Sequence, residues 1–279
     1  MPLTVLSLNC WNTSGPYERR RERIREWIER LDPDLIGFQE ILRGGAVDML
    51  DDLAPQGFHT DFADAQPFWL DTDQAFGNAV ASRWPITDRE AVRLPGEETD
   101  EQRIALSVTI DSPVGEVSFT CTHLNWKFHH GMVRERQVVP LCDLVLRRRP
   151  RGGFPPILVG DFNAEPDSTE IRYVKGLHAI DDRSAFFHDA WAVAGEGSDG
   201  MTWSNRNPYA AMALEPDRRI DHVFVGYAIR FGDRYGVGKI ESCRVVCDDE
   251  RDGVWPSDHL GLCVELRTDP LPKPEWATW

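Results

Sequence analysis

The stretch Ile157-Leu158-Val159-Gly160-Asp161-Phe162-Asn163-Ala164-Glu165-Pro166-Asp167-Ser168 constrains this chain more than any other. Three aliphatic residues in a row read as a buried strand, and Gly160 is expected to turn the backbone at its end. Asp161 and Asn163 stand two apart, so both can face one side of an extended segment. A carboxylate and a carboxamide at the mouth of a buried strand suit a hard cation and a polarised phosphate oxygen. The plainer alternative is an Asx-rich turn, in which both side chains bond local backbone. What else the chain places at strand ends decides between them.

Several apolar runs end in the same way. Residues 4–8 read as a first strand ending at Asn9-Cys10-Trp11-Asn12. Residues 18–30 carry Ile24, Trp27, Ile28 and Leu31 at helical spacing, which predicts an amphipathic helix stopped by Asp32-Pro33-Asp34. Residues 35–38 form a short buried strand that delivers Gln39-Glu40, and residues 47–53 read as another helix. Residues 77–82 are strand-like. Residues 104–110 and 117–122 alternate across Ser112-Pro113-Val114-Gly115, a hairpin whose second strand ends at His123. Helices are expected over 132–146 and 168–177, and strands over 219–225, 240–248 and 260–266. Residues 58–76 and 199–217 read as long loops carrying Phe62, Phe68, Trp69, Trp203 and Tyr209, aromatic residues that could wall a pocket or pack the loops down. Strands with helices between them, then hairpins and loops, predict an α/β fold: a four-layer α/β sandwich of two packed mixed β-sheets flanked by helices.

Composition narrows the classes. With 279 residues, 41% of them hydrophobic, the chain can fill one large core, and no repeat or linker divides it. A single domain over residues 1–268 with an irregular tail at 269–279 is expected. No apolar run reaches the ~18 residues of a membrane helix, and the N-terminus reads as a strand rather than a signal peptide. The six cysteines at 10, 121, 142, 243, 247 and 263 sit mostly in apolar runs without zinc-site spacing, which predicts reduced core thiols and a cytoplasmic location. A net charge of −15 disfavours long polyanions as partners. The one basic run, residues 147–151, reads as a solvated helix end.

The polar residues at strand ends are Asn9, Glu40, His123, Asp161, Asn163, Asp221 and the triplet Ser257-Asp258-His259. Singly, each has a structural explanation: Glu40 could cap a helix, the histidines could be satisfied in the core, and Asp221 could pair with Arg218 or Arg219. Together they are what a shared active-site rim needs. Ser7-Leu8-Asn9-Cys10-Trp11, Gln39-Glu40, Thr122-His123-Leu124, Gly160-Asp161-Phe162-Asn163, Arg219-Ile220-Asp221 and Ser257-Asp258-His259 resemble, in order, the motifs of the endonuclease/exonuclease/phosphatase superfamily, the DNase I-like fold. They span residues 9 to 259, and Gly-Asp-Phe-Asn followed much later by Ser-Asp-His is the most specific part. Leu8-Asn9-Cys10-Trp11 and the following Arg-rich helix look most like the neutral sphingomyelinase branch.

The resemblance implies a phosphoester hydrolase in which water attacks phosphorus with the help of Mg²⁺ or Mn²⁺. Glu40, Asn9 and Asp258 would hold the cation through oxygen ligands. His259 would be the general base and Asp221 would orient it. Asp161 and Asn163 would position the water and the phosphate, and His123 would donate a hydrogen bond to a non-bridging oxygen. The expected substrate is a small or lipid-like phosphodiester. Rival expectations are a nuclease of the same fold gripping a strand through residues 147–151, or a phosphomonoesterase acting on an inositol or nucleotide phosphate. A binding protein without catalysis is the fourth, and the intact set of acid, base and metal carboxylates counts against it.

Overall fold

The computed structural model describes residues 1–45, 47–227 and 234–272. The first apolar run forms strand β1 (Leu3–Asn9), buried at every residue except Thr4. A strand covered on both faces belongs inside a layered sheet. It pairs in parallel with β2 (Leu35–Arg43) and antiparallel with β12 (Gly261–Leu266). With β3 (His59–Phe68), β4 (Asp71–Ser82) and β11 (Ile240–Val246), these build a six-stranded sheet in the order β11-β12-β1-β2-β4-β3. A second six-stranded sheet contains β5 (Ile86–Leu94), β6 (Arg103–Ser112), β7 (Gly115–His123), β8 (Ile157–Asp161), β9 (Phe187–Asp189) and β10 (Asp221–Gly226), in the order β5-β6-β7-β8-β10-β9.

The sheets meet face to face through Leu3, Val5, Leu35 and Val80 on one side and Leu106, Phe119, Val159 and Val223 on the other. They come close enough that a Cβ on Gly37 would lie 2.3 Å from Cγ2 of Val159, so β2 needs glycine there. Helix α1 (Tyr17–Leu31), with the short α2 (Met49–Leu53) beside it, covers the outer face of the first sheet, packing Ile24, Trp27 and Ile28 among Leu6, Leu8 and Phe38. Helix α3 (Gly131–Arg147) covers the second with Leu141, Leu144 and Val145 against Leu158 and Phe224. The result is the four-layer sandwich of two packed mixed sheets that the alternation of elements predicted. All six cysteines are buried and free. Among the described residues no helix is long and apolar enough to cross a membrane.

Two strands appear where none was expected. Residues 58–76 are not a loop: they form β3 and the first half of β4, a hairpin turning at Trp69-Leu70. Strand β5 follows over residues 86–94, for which no element was expected. Both are edge strands, half exposed and rich in charge, and β3 is bulged and carries Pro67, so neither shows a clean apolar alternation. The expected helix over 168–177 is shorter, Thr169–Val174 (α4). Of the expected tail, residues 273–279 lie outside the described residues.

Chain direction positions the site. β1 and β2 run parallel, as do β7 and β8, while β10 and β12 run against their neighbours. The register therefore sets Asn9 beside Gln39 in one sheet, and His123, Asp161 and Asp221 side by side in the other. Ser257-Asp258-His259 immediately precedes β12, at the same edge.

Candidate active site

Glu40 reaches the cleft because β2 is bulged. Phe38 pairs with Ala79 and Ile41 with Gly77, so Gln39 and Glu40 share the single opposing residue Asn78. Glu40 sits in the left-handed region at φ 59°, an unfavourable conformation for a residue with a side chain and one that clusters at functional sites. Trp11 (φ 54°) and Asn12 (φ 36°) are held the same way just beyond β1. The two Glu40 oxygens accept hydrogen bonds from the side-chain amides of Asn9 (3.2 Å) and Asn12 (2.8 Å).

Asp161 is the hub. Its Oδ1 accepts the main-chain N–H of Asn163 at 2.9 Å, so the Asx turn weighed from sequence is present. Its Oδ2 accepts from the Asn9 amide at 3.0 Å, a bond that joins the two sheets, and lies 3.4 Å from Nε2 of His123 and 3.7 Å from Nε2 of His259. One carboxylate thus serves the turn and the site at once. Asn163 is not extended: at φ 50° it donates its side-chain amide to Leu124 O and lines the cleft. Gly160 is not the turn residue either. It stays inside β8, where a Cβ would lie 2.1 Å from the Thr122 carbonyl of β7, and that close approach is what requires glycine.

His259 lies between two carboxylates. Its Nδ1 bonds Oδ2 of Asp221 at 2.9 Å, its Nε2 faces Asp161, and the Trp203 ring meets it edge-on at 4.9 Å. Burial alone would discharge the imidazole. Asp221 and Asp161 outweigh it and raise the ring well above its ordinary range. Asp161 in turn is pushed up to about 7, by burial first and by Asp221 second. His123 goes the other way: burial, then Arg103 and His259, keeps it neutral far below its ordinary range. Arg103 donates to Nδ1 of His123 at 3.2 Å, which fixes the ring proton on Nε2, facing Asp161 and the cleft.

Asp258 completes the group. Its Oδ1 accepts from Ser257 Oγ (3.2 Å) and from the His259 main-chain N–H (3.0 Å). Burial, and the nearby Glu40 charge, raise its carboxyl to about 6, with His259 opposing. The buried Asn207, from the expected loop 199–217, donates to the carbonyls of Ser257 (2.7 Å) and Asp258 (3.2 Å), so that loop supports the triplet. Trp203, from the same loop, is a packing residue, and its packing partner is His259.

The structure thus brings together every residue expected from sequence. It presents one of them differently. Asn9 was expected as an oxygen ligand, but its Oδ1 accepts the Trp11 N–H at 2.9 Å, so its nitrogen faces Glu40 and Asp161. The suggested ion pair between Asp221 and Arg219 is absent: Arg219 makes a two-pronged bond to Asp189 (3.1 and 3.0 Å) and donates to Nδ1 of His222. Asn12 and Arg103 escaped the sequence reading. Asn12 was legible in the same Asn-rich end of β1 as Asn9, whereas Arg103 looks like ordinary surface charge beside Glu101.

Behind the site, the buried His222 donates from Nε2 to Ala164 O (2.9 Å) and accepts from Arg219, so a second proton would meet a guanidinium. Burial, then Arg219, lowers it from 6.5 to about 4. Its folded pKa lies below the unfolded one, so the stabilisation is complete above about 6.5 and is lost as pH falls toward about 4. The unfolding free energies of the wild type and His222→Gln, measured in urea, should converge over that window by on the order of 3 kcal/mol. A pH-independent difference would contradict this arrangement.

The site floors a cleft of about 530 Å³. Among the described residues Glu40, Asp100, Glu101, Asp161, Glu215 and Asp258 line it against Arg103, Lys127, Arg218 and the charged His259, and Trp11, Trp69, Phe76 and Trp126 add apolar walls.

The family model described as "Endonuclease/Exonuclease/phosphatase family" matches residues 6–259. No curated protein matches the chain. Among solved structures, an endonuclease/exonuclease/phosphatase from Beutenbergia cavernae is 22% identical, with a TM-score of 0.71 over 95% of this chain and 71% of that one. D. rerio TDP2 complexed with single strand DNA product is 18% identical, with a TM-score of 0.73 over 95% and 99%. The human Nocturnin catalytic domain with bound sulfate anion is 19% identical, with a TM-score of 0.69 over 95% and 93%. These likenesses extend to the fold.

Proposed function

The chain belongs to the endonuclease/exonuclease/phosphatase family, and from that premise we propose that it is a divalent-metal-dependent phosphodiesterase, with residues 1–268 as one catalytic domain. The observation that carries the reading is the Asp221–His259–Asp161 array set beside the Glu40–Asp258 carboxylates in one cleft. Asp161, Asp221 and His259 offer ligand atoms within 4.8 Å of one another. There, however, the charged imidazole already balances the carboxylates. Among the described residues no cationic side chain is hydrogen-bonded to Glu40 or Asp258, whose oxygens accept from amides, a hydroxyl and a main-chain N–H, and all-oxygen donors suit a hard cation. These two residues would therefore hold Mg²⁺ or Mn²⁺, with Asn9 and Asn12 steadying Glu40. The bound cation would supply Lewis acidity to the phosphoryl and leaving oxygens.

The rest is the work of side chains. Asp221 holds the His259 ring by Nδ1–H; the ring acts as base once it has lost its second proton, and Nε2 then takes the proton of the attacking water. Asp161 and Asn163 orient that water and the phosphate. His123, its proton fixed on Nε2 by Arg103, donates to a non-bridging oxygen.

Substrate choice follows from the cleft mouth. Trp69 (58% exposed) and Trp126 (49%) line it, with Leu70 and Phe128 beside them exposed as well. Exposed apolar surface next to a phosphate site favours a diester with an apolar portion, in line with the sphingomyelinase-like motifs at β1. The D. rerio relative was solved with a DNA product. For this chain the acidic cleft argues against a long polyanion, and so does the pairing of the basic run. Arg147 pairs with Glu90, and Arg148 with Asp88 and Glu90. Labelled DNA and RNA should therefore bind weakly at every salt concentration. A grip on 6–10 phosphates would instead cost roughly 10³–10⁵ in affinity between low and moderate salt. Tight, steeply salt-dependent binding lost on mutating Arg147, Arg148 and Arg149 would promote the nuclease reading. Six free buried thiols support the cytoplasm as the working compartment.

The direct test is a panel of lipid, nucleotide and inositol phosphodiesters and monoesters, with Mg²⁺ present or chelated, read by product mass. Metal-dependent release of a phosphomonoester from diesters is expected. Turnover of monoesters alone would overturn the diesterase reading.

A further inference from the structure

Among the described residues Arg20 is the largest side chain that the fold buries completely, at 0% exposure. Its five hydrogen bonds all go to main-chain carbonyls: Nε to Ser14 (3.0 Å), Nη1 to Cys10 (2.9 Å) and Pro256 (3.0 Å), and Nη2 to Trp11 (3.2 Å) and Asn12 (2.8 Å). Among the described residues none of its bonds reaches a carboxylate. A guanidinium buried without a bonded counter-ion is costly, and a neutral side chain could have filled the space.

The carbonyls come from two separate stretches of chain. One is the left-handed turn after β1, whose Asn9 and Asn12 hold the two oxygens of Glu40. The other ends at Pro256, two residues before Asp258. The Trp11 ring lies 4.8 Å from the guanidinium and 4.8 Å from Tyr209, so the same cation also anchors an aromatic wall of the cleft. The planar fork of arginine can meet carbonyls on several sides at fixed angles, which the single ammonium of lysine cannot.

We propose that Arg20 is a positioning residue: it ties the Asn9–Asn12 turn to the segment bearing Asp258, and so sets the spacing of the Glu40 and Asp258 carboxylates for a divalent cation. This rests on the reading above that those two residues hold the cation. An arginine that merely anchored the fold would affect stability and leave affinity for the metal alone.

Arg20→Lys separates the two, because it keeps the charge and removes the fork. Mn²⁺ uptake by the purified full-length chain is followed by electron paramagnetic resonance, with circular dichroism and melting to verify folding. The folded variant should bind Mn²⁺ about 10–100-fold more weakly, the usual cost of losing an outer support of a metal site. Its kcat should fall while KM for a phosphodiester stays nearly constant. A folded Arg20→Lys with wild-type Mn²⁺ affinity and kcat overturns the proposal. A wild-type chain that takes up no Mn²⁺ overturns the metal reading and this inference with it. Should the variant not fold, arginine-labelled wild type decides by NMR: a slowly exchanging, restricted guanidinium that shifts on adding Mg²⁺ is expected, and one that does not respond contradicts the proposal.

Discussion

Alanine at His259 lowers kcat by about 10²–10⁴-fold, the span a positioned general base supplies. The geometry accounts for the size of the loss. The ring is fixed by Asp221 on one side, faces Asp161 on the other and packs against Trp203, and the neighbouring His123 cannot take its place because its Nε2 already carries the ring proton. The fold should survive. Removing the imidazolium leaves Asp161 and Asp221 facing each other, and Asp161 is already raised toward holding a proton. Asp221→Asn should do part of the same damage, since an amide cannot favour the required ring tautomer as the carboxylate does. The acidic limb of the pH–rate profile should disappear in the alanine variant. Turnover close to wild type would transfer the role of base to Asp161.

Glutamine at Glu40 raises the Mg²⁺ concentration for half activity at least about tenfold, since losing even an outer support of a metal site costs that much. Both Glu40 oxygens accept from amides, so glutamine must turn its own NH₂ toward Asn9 or Asn12 and lose one of those bonds as well as the charge. The backbone bulge remains, so the melting temperature should change less than the metal dependence. Metal titrations of activity beside thermal melts separate the two. Full activity in excess chelator would defeat the metal reading.

Much of this site was legible because each buried run ends in a polar residue, and parallel strands bring such ends to one edge. Asn9, His123 and Asp161 were found that way; Glu40 stands at a bulge inside β2 and Asp221 opens the antiparallel β10 at the same edge, while the two-sheet sandwich followed from the alternation of elements. What escaped depends on partners distant in sequence. β3 and β5 are edge strands whose exposed faces carry charge, so their apolar pattern is thin. Gly160 resembled a turn residue because the Thr122 carbonyl that crowds it belongs to another strand. The orientation of Asn9 is set by one backbone N–H, that of Trp11, which sequence spacing does not disclose. Arg20 and Arg103 sit among like-looking charges, and only the fold distinguishes them from Arg147 and Arg148, which pair at the surface.

The central claim is that water attacks phosphorus at this site. It is tested most directly by hydrolysing a phosphodiester in water enriched in heavy oxygen, with Mg²⁺, and weighing both products. The label should enter the phosphomonoester and be absent from the released alcohol, with turnover abolished by a chelator and severely reduced in the His259→Ala variant. Label in the alcohol, or turnover indifferent to both chelator and His259, would contradict it.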